Sequence, residues 1–197
     1  MSDRDQILGD VRRALARASA ASEIPRGYRE VGPPVDAKAL FVSRAQDYGV
    51  TVTECVAAAV ASTLGQLTKG LAVVVPPSLP WPVPEAVVDD HLTPRELDSF
   101  DVVVTASALA VAATGTVVLD HSPGQGRRAV SLVPDMHVCV VWASSIVADV
   151  PDAIARLSPE RPQTWISGPS ATSDIELQRV QGVHGPRTLH LVLVTDE

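Results

Sequence analysis

A glycine-rich segment with two adjacent arginines, SPGQGRRA, follows an apolar run in the middle of the chain. Gly124 and Gly126 allow backbone N–H groups to come close to a ligand, and successive amides in such a turn can bind an anion. Arg127 and Arg128 add planar donors that suit a carboxylate or a phosphate, and Gln125 lies beside them. The segment matches neither the phosphate-binding GxxxxGKS/T loop nor the GxGxxG fingerprint. A plain turn with a solvated basic edge is therefore the alternative.

Hydroxyl and carboxylate side chains cluster in a second segment, GPSATSDIELQRVQG. Ser173 and Glu176 have the spacing of a capping box, which predicts a helix that begins after Ser173 and is closed by Gly182. Ser170 and Thr172 then lie at the N-terminus of this helix, where unpaired amides and the helix dipole favour an anionic group. A capped helix without a ligand explains Ser173 and Glu176 equally well.

Two residues in or near this second segment could transfer protons. Asp174 lies in the first turn of the predicted helix, where a carboxylate either stabilises the dipole or acts as a base. His184 stands among glycine and proline residues and is the histidine that we most expect to do acid–base chemistry. His137 and His190 lie inside predicted strands and are interpreted as structural.

The sequence predicts no metal or cofactor site in this chain. Its five histidines show no HExxH or other metal-ligand spacing with one another or with the cysteines. Cys55 and Cys139 both lie in apolar segments, where a buried thiol is expected. Two cysteines are also too few to hold an iron–sulfur cluster in the usual four-cysteine way.

Short apolar runs alternate with amphipathic segments from residue 36 onward. Helices are predicted over 36–48, 56–67 and 93–99, and strands over 50–55, 71–75, 101–105, 115–119, 137–142, 164–167 and 189–194. Strands that are apolar throughout predict an α/β domain whose mainly parallel sheet lies between helix layers. Because ligands of such sheets bind beyond the carboxyl ends of the strands, the loop that carries SPGQGRRA is a candidate binding loop.

The chain ahead of this domain is predicted to be an arm. Residues 1–22 form an amphipathic helix, with Ile7, Leu8, Val11 and Leu15 among the apolar positions at helical spacing. Residues 23–35, rich in proline and glycine, are a linker, and residues 36–197 are the α/β domain. The helix either folds back on the domain or packs on a partner.

Composition indicates a globular protein. Hydrophobic residues make up 46% of the 197 residues and charged residues 20%. The net charge of -7 argues against a nucleic-acid-binding protein, which needs a basic face. The N-terminus lacks the apolar core of a signal peptide, and no run approaches the roughly 18 apolar residues of a spanning helix. We therefore expect a soluble cytoplasmic protein.

Two long, ordered motifs resemble a known family. The run ATGTVVLDHSPGQGRRAVSLVPDMHVCVV, followed by ISGPSATSDIELQRVQGVHGPRTLHLVLV, is similar to the lactate-utilisation (LUD) domain family over about half the chain. The resemblance implies a three-layer α/β/α fold like that of the glucosamine-6-phosphate isomerase, ribose-5-phosphate isomerase and CoA-transferase group. It also implies a part in bacterial oxidation of L-lactate to pyruvate, together with partner proteins that carry iron–sulfur clusters.

The positions that match the family pattern are the candidate pocket residues. The candidate contacts to a substrate are Thr114, Gly115, Thr116, Gly124, Gln125, Gly126, Arg127, Arg128, Gly168, Ser170, Thr172 and Glu176. His184 and Asp174 are the candidates for catalysis.

Three functions remain open. In the first, the chain is a subunit of a lactate-oxidising system, in which Arg127 or Arg128 binds the carboxylate of lactate or pyruvate and His184 lies near the hydroxyl group. In the second, the chain is a non-catalytic assembly or metabolite-sensing module that docks through its first helix. In the third, it is an independent isomerase or ligase that acts on a sugar phosphate.

Overall fold

The structure is a computed structural model that describes residues 2–16, 24–25, 27, 36–172, 180–182 and 184–195. Its helices are α1 (Asp3–Leu15), α2 (Ala37–Asp47), α3 (Val60–Leu67), α4 (Pro94–Leu97) and α5 (Val150–Arg156). Its strands are β1 (Thr51–Cys55), β2 (Val73–Val75), β3 (Val87–Val88), β4 (Val102–Ala106), β5 (Leu109–Val111), β6 (Thr116–Leu119), β7 (Met136–Trp142), β8 (Ile146–Val147), β9 (Thr164–Ile166), β10 (Ala171–Thr172), β11 (Val180–Gln181) and β12 (Thr188–Val194).

A six-stranded parallel sheet with the order β1-β12-β7-β4-β2-β3 forms the centre of the domain. On one face, Val60 and Leu64 of α3 pack against alternate residues of the central strands. On the other face, Phe41 and Ala45 of α2 pack against Cys139 and its neighbours. Because both faces are covered, the central strands are apolar almost throughout, as the sequence indicates. The predicted α/β fold with a mainly parallel sheet flanked by helices is confirmed.

A second sheet, with the order β8-β5-β6-β9, lies against the α2 side of the main sheet and was not expected. The predicted strands at 115–119 and 164–167 belong to it. β5 and β6 are antiparallel because only a tight turn through Thr114 and Gly115 joins them, whereas a parallel pair needs a long crossover. β6 and β9 are also antiparallel, with Leu119 paired to Thr164 and Val117 to Ile166. The loops that follow β6 and β9 therefore leave the second sheet at opposite ends.

The segment between β6 and β7 runs from the side of the main sheet where the strands have their carboxyl ends (the carboxyl edge) to the side where they have their amino ends (the amino edge). Near its start, the Gly124 carbonyl accepts a hydrogen bond from the Ala106 amide at the carboxyl end of β4. At its end, the Met136 amide donates to the Asp101 carbonyl, beside the amino end of β4. The crossing is required because β4 and β7 are parallel neighbours. Residues of the glycine-rich segment are consequently distributed between the two edges.

The helices predicted over 36–48 and 93–99 are confirmed with small shifts of their ends, and the one predicted over 56–67 consists of a 3-10 helix at Ala57–Ala59 followed by α3. In α1, Ser2 and Asp5 form a capping box, and in α4 Thr93 and Glu96 form the predicted one. α1 ends at Leu15 and has no buried residue. The rest of the predicted arm, from residue 17 to residue 22, and most of the linker lie outside the described residues. No helix in the described part of the chain is long and apolar enough to span a bilayer.

The helix predicted after Ser173 is wrong at its far end. Val180 and Gln181 form β11, which pairs in antiparallel fashion with Ala171 and Thr172 of β10. Val180 and Thr172 face each other in this ladder, and β-branched residues suit its extended backbone. The residues between the two strands, including Asp174 and Glu176, lie outside the described residues.

Replacement of Gly115 tests the close packing between the second sheet and α2. Gly115 has a φ of 60°, and an added Cβ would lie 2.7 Å from the Ala45 amide nitrogen. We expect Gly115→Ala to lower the free energy of unfolding by about 3 kcal/mol or more, from left-handed strain plus overpacking. The control Gly70→Ala has a similar φ of 77° but open space around it, so it should cost only about 1–2 kcal/mol. Urea denaturation measures both variants. Equal losses of unfolding free energy in Gly115→Ala and Gly70→Ala would contradict this close packing.

Candidate functional site

The two glycines of the glycine-rich segment are explained by packing. Gly124 and Gly126 have φ values of 80° and 74°, which favour glycine. The Gly124 amide donates to the Pro77 carbonyl at 3.1 Å, and a Cβ on Gly126 would lie 2.9 Å from the Pro76 Cβ. Both glycines therefore let the segment lie directly on the loop that follows β2.

Local hydrogen bonds hold the same segment in place. The buried Gln125 side chain accepts a hydrogen bond from the Asp120 amide at 2.6 Å. His121 lies with Nδ1 2.7 Å from the Gly126 carbonyl and Nε2 3.1 Å from the Thr164 hydroxyl. Since a carbonyl only accepts, Nδ1 carries the proton and donates it to Gly126. Gln125 and His121 thus have their hydrogen-bonding groups engaged within the fold.

Arg127 is engaged in a two-pronged ion pair. Its Nε and Nη2 donate to the two carboxylate oxygens of Asp89 at 2.7 Å each, and Nη2 also donates to the Leu92 carbonyl. The Asp89 side chain is only 3% exposed, and the hydrogen bonds from Arg127 hold the pKa of its carboxyl below the usual 3.8. Arg127 therefore anchors the segment to the loop after β3 and has its charge already neutralised.

Arg128 is exposed and lines instead a cavity of about 210 Å³ beside the amino ends of β7 and β12, here called the amino-edge cavity. Four candidate residues meet at this cavity: Arg128, Gly168, Ser170 and His184. The other lining residues are Ser131, Leu132, His137, Thr164, Trp165, Ile166, Ser167, Pro169, Gly185, Pro186 and Leu189. Arg128 is the one permanently charged side chain among these lining residues, and it has no ion-pair partner within the described part of the chain. Among the described residues, the cavity thus presents a cation without an ion-pair partner beside mostly apolar and hydroxyl-bearing side chains.

Backbone hydrogen bonds fix Ser170 and His184 beside each other. The Ser170 amide donates to the Pro186 carbonyl at 2.9 Å, and the Gly182 amide donates to the Ser170 carbonyl at 2.9 Å. The His184 amide donates to the Ser170 hydroxyl at 3.3 Å. The chain that precedes β12 is therefore bound to the chain that follows β9, and His184 lies at the mouth of the cavity as an exposed side chain.

The Thr114–Gly115–Thr116 turn supports the cavity from outside. The hydroxyl oxygens of Thr114 and Thr116 are 2.7 Å apart, and that of Thr116 is 2.8 Å from the Ser167 hydroxyl oxygen. Ser167 lines the cavity, whereas the three residues of the turn do not. The turn would therefore influence a ligand in the cavity indirectly, through the position of Ser167.

His137 is a cavity residue that sequence reasoning assigned to structure alone. It is 1% exposed, and its Nε2 lies 2.8 Å from the Thr105 hydroxyl on the neighbouring strand β4. Burial lowers the pKa of its imidazole to about 4, so the ring is neutral at neutral pH. The available signal was a polar residue in the otherwise apolar strand MHVCVVW, which requires a buried partner.

The other candidate residues that the structure describes do not line this cavity. Gly124, Gly126 and Arg127 line a separate cavity of about 400 Å³ at the carboxyl edge of the main sheet. Gln125 lines a third cavity, and Thr114 a fourth. The Thr172 backbone is in β10, and Asp174 and Glu176 lie outside the described residues. The expected single pocket is thus divided, and Arg128, Gly168, Ser170 and His184 form the group that remains together.

The carboxyl-edge cavity is the competing location for a ligand. Ser78, His91 and His121 line it and are three of the four non-glycine residues with positive φ within the described residues. Strained backbone of this kind concentrates at functional sites. The arginine of this cavity is, however, already paired with Asp89. The amino-edge cavity therefore has the stronger claim for an anionic ligand. Within the described residues, no cluster of three His, Cys, Asp or Glu side chains is placed to hold a metal ion.

Comparison with known families places this fold and cavity in one class of protein. The family model described as LUD domain matches residues 77–194, which include every residue that lines the amino-edge cavity. The chain belongs to the LUD domain family.

Individual relatives agree with this assignment. The chain is 42% identical to lactate utilization protein C of Deinococcus radiodurans, over 96% of this chain and 94% of that protein. It is 39% identical to lactate utilization protein C of Shouchella clausii over 55% of this chain, an alignment that spans 50% of that protein. A crystal structure of a DUF162 family protein from Deinococcus radiodurans superposes with a TM-score of 0.70 and 36% identity, and covers 82% of this chain and 99% of that one.

Removal of the Asp89 charge tests the anchoring role of Arg127. We expect Asp89→Asn to lower the free energy of unfolding at pH 7 by about 1–3 kcal/mol, because Arg127 loses its buried partner. Because the pKa of Asp89 is lowered in the folded state, its contribution is complete above the unfolded value of about 3.8 and is lost as the pH falls through the folded value. The difference between wild type and variant should therefore shrink only below about pH 4.

The matched control is Asp135→Asn, which removes an exposed ion pair with Arg187. Exposed pairs contribute little, so this change should cost less than about 1 kcal/mol. Urea denaturation at several pH values measures both variants. An Asp89→Asn loss no larger than that of the control would show that Arg127 is not held as an anchor.

Proposed function

We propose that the amino-edge cavity binds a small carboxylate, with lactate or pyruvate as its ligand, and that the chain serves a lactate-utilisation system. The observation that carries this proposal is the guanidinium of Arg128, which lines a small, mostly apolar cavity and has no ion-pair partner among the described residues. Guanidinium binds carboxylate through two parallel hydrogen bonds. The names of the relatives supply the identity of the carboxylate.

The dimensions of the cavity suit a ligand of this size. A volume of about 210 Å³ is sufficient for a three-carbon acid. Leu132, Ile166 and Leu189 offer apolar surface for a methyl group, while Ser170 offers a hydroxyl to a polar one. The cavity thus provides for each part of a 2-hydroxy acid.

His184 is proposed as the acid–base group at the entrance. His184 is exposed and lines the cavity, and its backbone is fixed by Ser170. Imidazole can both accept and donate a proton, which suits proton transfer to or from the hydroxyl of a 2-hydroxy acid. Asp174 is the other residue that we propose for acid–base catalysis.

Oxidation of lactate to pyruvate also needs an electron acceptor, which we propose lies on iron–sulfur partner proteins. Cys55 and Cys139 support this division of labour, because they pack into the cores on opposite faces of the main sheet. They cannot converge on one cluster in this fold. The proposed role of this chain is therefore to bind and orient the carboxylate within a larger assembly.

Substitution of Arg128 tests the proposed ligand. We expect Arg128→Gln to weaken binding of lactate and pyruvate about 10-fold or more, since a charge-assisted pair contributes about 1.5–3 kcal/mol. Isothermal titration with the full chain measures the affinities, and lactate-dependent growth of cells that require this chain measures function. His184→Ala should also impair growth while leaving assembly with partners intact.

The matched control is Arg95→Gln, which removes an exposed arginine of α4 that does not line the cavity. This control should bind both acids as the wild type does. Unchanged binding and growth in Arg128→Gln and His184→Ala would exclude the cavity as the functional site.

An assembly function is the second candidate, and the exposure of α1 favours it. No residue of α1 is buried, and Ile7, Leu8, Val11 and Leu15 are between 38% and 62% exposed. An isolated helix of 13 residues is marginal in water, so a partner surface would stabilise it. In this function the helix docks the chain onto its partners, and the cavity senses a metabolite.

Deletion of residues 1–22 separates the two candidates. If α1 is the docking element, affinity purification from lactate-grown cells should recover iron–sulfur partners with the full chain and lose them with the truncated chain. The Arg128→Gln chain should recover them in either case. Recovery of the same partners with the truncated chain would exclude α1 as the docking element.

A further inference from the structure

Three buried polar side chains form a hydrogen-bonded row that ends at the amino-edge cavity. His137 Nε2 lies 2.8 Å from the Thr105 hydroxyl oxygen, which in turn lies 3.6 Å from Cys139 Sγ. Cys139 Sγ is 3.9 Å from the Ala106 carbonyl oxygen. Thr105, His137 and Cys139 are each 2% exposed or less, so bulk water does not supply alternative partners.

The chemistry of these groups fixes the direction of the row. The Ala106 carbonyl can only accept, so the Cys139 thiol donates to it. Burial raises the pKa of this thiol to about 12, which keeps its proton in place at neutral pH. The sulfur then accepts the single hydroxyl proton of Thr105, and the Thr105 oxygen is left to accept from His137. His137 must therefore carry its proton on Nε2.

The other ring nitrogen of His137 consequently presents a lone pair. Burial holds the pKa of His137 at about 4, so the neutral ring has one proton and Nδ1 has none. No hydrogen bond joins Nδ1 to another atom of the described residues, yet no buried side-chain nitrogen or oxygen among them lacks a partner. Nδ1 therefore keeps a small contact with space outside the packed protein, and the cavity is the space that His137 lines.

We propose that Nδ1 of His137 accepts a hydrogen bond from the hydroxyl group of a 2-hydroxy acid whose carboxylate is bound by Arg128, so that the cavity prefers a hydroxy acid to the corresponding keto acid. This inference rests on the proposed function and adds to it a residue that determines specificity. A hydroxyl group donates to Nδ1, whereas the carbonyl oxygen of a keto acid brings a second lone pair against it. With the keto acid, neither Nδ1 of His137 nor the carbonyl oxygen of the acid would receive a hydrogen bond from the other.

The expected preference follows from the free energy of one hydrogen bond. A net contribution of about 0.5–1.5 kcal/mol corresponds to a roughly 3- to 10-fold difference in affinity. Lactate should therefore bind about 3- to 10-fold more tightly than pyruvate, and also more tightly than propionate, which has the same carboxylate but no hydroxyl group. All three acids should lose affinity in Arg128→Gln.

Two substitutions test His137 itself. Gln at position 137 can place its amide where Nε2 was and keep the bond to Thr105, but it offers nothing at the Nδ1 position. His137→Gln should therefore remove the preference for lactate over propionate. Thr105→Val keeps the imidazole but no longer fixes its tautomer, so pyruvate should approach lactate in affinity. Thermal unfolding confirms that each variant is folded.

Titration of the full chain with lactate, pyruvate and propionate gives the affinities, and ¹⁵N NMR of the imidazole reports which nitrogen carries the proton. A preference for lactate that disappears in His137→Gln, with the proton on Nε2 in the wild type, supports the inference. Equal affinities for the three acids, with Arg128→Gln still weakening all of them, would overturn the role of His137 and leave the carboxylate site standing. Binding that is absent or insensitive to Arg128→Gln would overturn the proposed function and this inference together. A proton on Nδ1 in the wild-type chain would overturn the inference by itself.

Discussion

The parallel pairing of β4 with β7 is the constraint on which the rest of the structure depends. Parallel neighbours require the chain to return from the carboxyl edge of the sheet to its amino edge before the second strand begins. Here the return includes the hairpin of the second sheet and then the glycine-rich segment. Gly124 and Gly126 pack at the carboxyl edge, whereas Arg128 lies far enough along the crossing to reach the amino-edge cavity. The topology therefore decides which arginine meets which cavity.

The two adjacent arginines, Arg127 and Arg128, consequently have different roles. Arg127 is matched by the buried carboxylate of Asp89, and the pair ties the crossing segment to the end of β3. Arg128 has no such partner among the described residues and faces walls that are mostly apolar. The proposed attraction for an anionic ligand thus depends on a cation that has no carboxylate partner among the described residues. The presence of two arginines in the loop does not by itself show which of them is paired with a carboxylate.

The sequence predicted the main sheet well because its strands are buried on both faces, which makes runs such as 138–142 apolar without interruption. It missed β3, β5, β8, β10 and β11, since strands of two or three residues carry little periodic signal. The antiparallel arrangement of β6 and β9 could not be read from residue types, yet it separates the two motifs that were expected to share one pocket. The capping-box pattern at Ser173 did not foresee that Val180 would pair with Thr172 in a ladder. That the buried His137 also lines a cavity could not be predicted, because the cavity is formed by segments distant in sequence.

The central claim is that Arg128, within the amino-edge cavity, receives a small carboxylate. A crystal structure of the full chain grown with L-lactate tests this claim most directly. The account predicts lactate density in this cavity, with the carboxylate within hydrogen-bond distance of the Arg128 guanidinium and the hydroxyl oriented toward Nδ1 of His137. Lactate bound instead in the carboxyl-edge cavity beside Asp89 and Arg127, with the amino-edge cavity free of it, would contradict the account.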